Sequence, residues 1–150
     1  MFDPQSFIDA SITESLDTKV IPCPQGEFLG VIDKFAPEQW KSSDGTKSGI
    51  KLTVDWLIED QSVKDFLARD TVKVRQQIFL DITDDGKLET GPQKNIGLGR
   101  LREAVGMNTP GQAFSFGMLA GAMAKVNVTH RPDPKDAENV FAEINKVAKQ

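Results

Sequence analysis

Residues 71–86, TVKVRQQIFLDITDDG, alternate with a period of two through most of their length. Val72, Val74, Gln76, Ile78 and Leu80 fall on one side, and Lys73, Arg75, Gln77, Phe79 and Asp81 on the other. That rhythm, with β-branched and aromatic content, predicts a strand with one face on a core and one in water. Asp84-Asp85-Gly86, with Leu88 returning, predicts a hairpin-type turn at its end. The outer face carries two cations, an amide and an aromatic ring. A groove for a single nucleic-acid strand needs those groups, but solvated charge is also the ordinary state of a half-buried strand.

The other segments repeat the theme. Glu27–Phe35 predicts a first strand, with a bulge or bend at Gly30. Ala36–Lys47 predicts a loop, from Pro37 and the turn set Ser42-Ser43-Asp44-Gly45. Trp40 lies in it near Lys34, Lys41 and Lys47, and either folds back onto the core or stays open to a ligand. Gly49–Ile58 alternates, with the Trp56 side as core and Lys51, Thr53, Asp55 and Leu57 outward. Ser62 is the expected cap of a short helix. Asn95 is the expected cap of a second helix with the stripe Ile96, Leu98, Leu101, Ala104 and Val105, ended by Gly106. Gly97 and Gly99 near its start suggest close backbone contact. Ala122–Arg131 predicts a strand with Ala124, Val126 and Val128 inward and Lys125, Asn127, Thr129 and Arg131 outward. Val140, Phe141, Ile144 and Val147 suit a strand or a helix. Residues 1–25 read as an extended arm, since Ile12, Leu16, Val20 and Ile21 form no sustained stripe.

Composition narrows the function. Hydrophobic content of 39% and charged content of 27% over 150 residues suit one globular domain. No apolar run approaches the roughly 20 residues of a membrane span, so no membrane partner is expected. The N-terminus has no export pattern, and a reducing cytosol is the expected setting. One cysteine, Cys23, and one histidine, His130, cannot by themselves hold zinc, and His130 has no evident Ser or Cys partner. No cofactor, metal or catalytic residue is expected, and the chain is not read as an enzyme. The acidic set Asp81, Asp84, Asp85 and Glu89 could be read as a nuclease metal site, but the local turn accounts for much of it. The net charge of −4 argues against a nonspecific duplex binder. Yet residues 86–131 hold six cations against two carboxylates, a balance of +4, so −8 lies elsewhere. That layout permits a basic groove on an acidic protein.

The run Val74–Gly111, above all RQQIFLD at Arg75–Asp81 and NIGLGRLREA at Asn95–Ala104, resembles a family of small early-region proteins of tailed bacteriophages, formerly of unknown function. Gly26-Glu27-Phe28 and VNVTHR at Val126–Arg131 match the same pattern. The family is similar to phage single-stranded-DNA-binding proteins with an oligonucleotide-binding (OB) barrel. The resemblance implies a protein that coats single strands in the host cytoplasm during replication or recombination, without marked sequence specificity. It implies single-stranded DNA as partner, with phage replication or recombination proteins as further partners. Such proteins commonly recruit partners through an acidic, flexible tail. Glu143–Gln150 has no acidic run, so recruitment of that kind is not expected here.

The fold expected is therefore mainly β: a five-stranded OB-like barrel over residues 26–150, with one or two short helices and the N-terminal arm. Cations along phosphates and rings under bases would bind the strand. Lys51, Lys73, Arg75, Lys125 and Arg131 are the expected phosphate contacts, with Lys34 at the rim. Phe79 and then Trp40 are the expected stacking residues, although Phe79 could instead pack beneath the arm. Arg100 and Arg102 read as solvated helix charge. The alternative is a phage structural or protein-interaction module with no nucleic-acid binding, to which the acidic pI of about 5.0 is suited.

Overall fold

Alternating segments with one apolar side can bury it by curling into a barrel, and this chain does so. The computed structural model describes residues 1–150, apart from the side chain of Ala137. Its strands are Gly26–Lys41 (β1), Ser48–Ile58 (β2), Lys73–Leu80 (β3), Met123–Asp133 (β4) and Asp136–Ala148 (β5). They close in the order β1-β2-β3-β5-β4. Neighbours run antiparallel except β3 and β5, which are parallel and meet at one pair, Arg75 opposite Glu143. This is the OB-like barrel that the sequence predicts. Pro4–Asp9 (α1), Gln61–Leu67 (α2) and Ile96–Ala104 (α3) are helical, and Phe116–Leu119 forms a 3₁₀ turn. Among the described residues no helix is long and apolar enough to cross a membrane.

The inward phases of β2, β3 and β4 meet as read: Leu52, Val54, Trp56, Val74, Ile78, Ala124, Val126 and Val128 are buried together. Gln76 shares that inward phase because Trp56 Nε1 donates to its Oε1 at 2.9 Å. Gly30 is not the bulge. The register slips between Ile32 and Lys34 instead, and Gly30 makes room for a ring, since a Cβ there would lie 2.9 Å from Trp56 Cε3.

The expected loop at Ala36–Lys47 is corrected. β1 runs on through Trp40 to Lys41 and pairs with β2 at every residue from Lys34 to Lys41. Its pairing with β4 stops at Val31, so Pro37 sits in a strand half with only one paired edge, where a missing N–H is tolerated. The last element is a strand, and its helix-like spacing has a cause. Val128 faces Ile144 but Asn127 faces Lys146, leaving Asn145 unmatched. That bulge shifts the side-chain phase by one. Ile144 is buried and Val147 also packs on the core.

Two caps also differ. Asp60, not Ser62, caps α2, accepting from the Val63 N–H at 3.1 Å. Asn95 sits at the cap position of α3 with φ 53° and makes no capping bond. It ties the helix to the end of β3 instead: Asn95 Oδ1 accepts from Asp81 N–H at 2.8 Å, and Asp81 Oδ2 accepts from Asn95 N–H at 2.7 Å. α3 thereby packs against β3 and β5 with Leu98, Leu101 and Ala104 buried, while Ile96 stays exposed.

Within residues 1–25 the short α1, capped by Asp3 with Pro4 beginning the helix, buries none of its residues. The segment reaches the core at Cys23. His130 Nε2 donates to the Cys23 carbonyl at 2.7 Å, which gives this histidine a structural role at the end of β4.

Candidate nucleic-acid interface

The outward phases of β1, β2 and β3 form one continuous surface because the three strands are consecutive neighbours. Register sets its rows: Lys34 opposite Asp55 opposite Arg75, and Glu38 opposite Lys51 opposite Phe79. Phe79 is 59% exposed. Its ring meets the Trp40 indole at 5.4 Å between centroids. Trp40 lies half-buried across β2, where a Cβ on Gly49 would come within 2.8 Å of the indole nitrogen. Gly49 thus lets the indole rest on the strand. The arm does not reach the Phe79–Trp40 pair: Thr18–Cys23 line a cleft with Arg69, Phe141 and Lys73, so the face meets the arm at Lys73.

The β1–β2 turn beside Trp40 is fixed by Asp44. Its carboxylate accepts from Ser42 Oγ at 2.5 Å, Thr46 N–H at 3.1 Å and Thr46 Oγ1 at 2.8 Å. The Ser42 bond first, and then the Thr46 bonds, pull its pKa down to about 2.

The cations of the face are largely paired. Arg75 Nε lies 3.0 Å from Asp55 Oδ1, and this bond holds the guanidinium pKa above its ordinary value. Lys73 Nζ lies 3.0 Å from Asp33 Oδ2. Lys51 Nζ donates to Gln77 Oε1 at 3.3 Å. Exposed pairs of this kind contribute about 0–1 kcal/mol, so an arriving phosphate can displace them at small cost.

Six of the eight residues singled out by sequence, Lys34, Trp40, Lys51, Lys73, Arg75 and Phe79, share this face. Arg131 stands at its border, 3.2 Å from Glu143, the residue opposite Arg75. Lys125 lies apart. It is on β4, which neighbours β1 and β5 but neither β2 nor β3, and sits 3.8 Å from Glu27.

Sequence reading passed over Arg100 and Lys146, which line a groove between β3 and β5 together with Phe79 and Arg131. The outward phase of Arg100 was readable on its helix. That of Lys146 was not, because the bulge at Asn145 disguises the strand. The acidic set around the β3 turn is occupied structurally: Asp81 holds Asn95, Asp85 accepts from the Thr83 hydroxyl, and Glu89 pairs with Lys94 at 3.0 Å. Among the described residues no group of three or more His, Cys, Asp or Glu side chains could hold a metal ion. No protein-family model matches the chain, and no curated protein matches it.

Proposed function

We propose that this chain is a single-stranded-DNA-binding protein of the tailed-phage kind, coating strands in the host cytoplasm during replication or recombination. The observation that carries the reading is the exposed Phe79 ring braced by Trp40 on an open barrel face, with Lys51 directly opposite Phe79. An exposed ring gives every base a π-face to stack on, and nearby cations follow the phosphates, so binding is strong in low salt and tolerant of sequence. The strands 2–3 side of an OB barrel is where oligonucleotides characteristically lie.

The chain has two tryptophans. Trp56 is fully buried, whereas Trp40 touches the platform. Titration with oligo-dT should therefore quench Trp40 emission, and Trp40→Phe should abolish the change. Affinity should drop steeply between about 50 and about 300 mM salt, as released counterions demand. A flat signal at both salts sinks the proposal. The same flat signal is expected of a phage protein-interaction module, a reading favoured by the carboxylate partners that Lys73 and Arg75 already have.

A further inference from the structure

The barrel closes between β3 and β5 through a single parallel pair. Past Arg75 and Glu143, β3 has no β5 partner, so peptide groups along that edge face a free space. The space is a groove of about 870 Å³ between Gln77–Phe79 and Asn145–Val147, with Gly97 and Arg100 of α3 also lining it. Gly97 keeps the helix tight on the strand, since a Cβ there would fall 3.2 Å from Ile78 Cγ2. Arg100, Arg131 and Lys146 edge the groove against one carboxylate, Glu143. That leaves an excess of two positive charges on a chain whose net charge is −4.

Two features select the occupant. The groove is cationic, and it shares Phe79 with the aromatic platform, so a chain lying on one surface can enter the other without a break. Lys146 also borders a shallow depression with Lys125, Asn127 and Glu27, in which Lys125 stays paired with Glu27 at 3.8 Å. Resting on the proposed function, we infer that a bound single strand does not end at the platform but turns at Phe79 into the β3–β5 groove. Its phosphates there contact Arg100 and Lys146, and the open edge of β3 faces its bases.

The test is the double variant Arg100→Ala/Lys146→Ala, titrated with oligo-dT of about five and about twelve nucleotides, lengths within the range one OB barrel can hold. Both side chains are exposed, and an unchanged urea midpoint checks the fold. For the longer strand, the salt slope should fall in magnitude by roughly 1.4, from about 0.7 per phosphate, and affinity at low salt should drop at least roughly tenfold. The shorter strand, held on the platform, should bind as to wild type. Unchanged binding of the longer strand, or an equal loss for both lengths, overturns the groove path while leaving the platform standing. The first of these outcomes would leave the groove to another occupant, such as an acidic peptide. Wild-type protein that binds neither length overturns the platform as well.

Discussion

The Phe79 ring stands edge-on to the Trp40 indole, with 86° between their planes, on the outside of the barrel. Such edge-to-face pairs contribute about 0.5–1.5 kcal/mol beyond the area they bury. The pairing restrains Phe79, and under the proposed function a restrained ring would lose less side-chain freedom on stacking with a base.

Phe79→Ala should therefore lower oligo-dT affinity by about 1–3 kcal/mol. Its stability should fall by much less than the roughly 3–5 kcal/mol that truncating a core Phe costs. A urea melt paired with a titration on the same variant separates the two. Several kcal/mol of lost stability with affinity intact would make the ring structural.

Arg75 and Asp55 make the charge of the face adjustable. Arg75→Ala should reduce the magnitude of the salt slope by about 0.7, one phosphate on a single strand, and Lys73→Ala should do the same. Asp55→Asn should act in the opposite direction and tighten binding, because it removes a carboxylate that competes with phosphate. Tighter binding by Arg75→Ala, or weaker binding by Asp55→Asn, would contradict the face as a phosphate track.

Leu101 has no exposed surface and is central among the buried residues of α3. Leu101→Ala should destabilise by about 2–5 kcal/mol, the usual cost of emptying such a site. A denaturant midpoint equal to that of wild type would mean the helix does not seal the core.

Burial, and then the charge of Asp60, push the Cys23 thiol up from 9.0 to about 11. The fold thus favours the neutral thiol. Its contribution to stability is whole below about pH 9 and is lost as pH climbs towards 11. Thiol reagents should modify the native protein slowly near neutral pH and the urea-unfolded protein quickly. The stability gap between wild type and Cys23→Ala should narrow as pH rises through that window. Equal labelling rates for native and unfolded protein would show that the thiol is not sheltered.

The inner and outer faces of β2, β3 and β4 were legible because each keeps strict alternation over the length that carries its core residues. Where a bulge intervenes, the period breaks. Ile32 and Phe35 both pack on the core across the slip at Asp33, and Ile144 and Val147 do so across the one at Asn145. The second slip is why β5 read as either type, whereas β1 read as ending at Phe35 because Pro37 and the Ser42–Gly45 turn set pointed to a loop. The helix at Pro4 had a readable signal, Asp before Pro at a helix start, that the missing apolar stripe concealed. Lys51, Lys73, Arg75 and Phe79 fell on one face because the phases of β2 and β3 were readable, whereas Lys34 and Trp40 joined them only because β1 runs on through the expected loop. The groove stayed hidden because it depends on how two distant strands diverge.

The first strand also sets the order in which the protein can be completed during synthesis. Its second half pairs with β2, which follows directly, whereas its first half waits for β4, with Gly26 facing Val128. A chain still emerging from the ribosome can assemble the three-stranded platform early, but it holds the edge of β1 from Gly26 to Val31 unpaired until about a hundred further residues have been made. That edge is where a stalled or truncated product would aggregate, or would borrow β4 from a neighbouring chain.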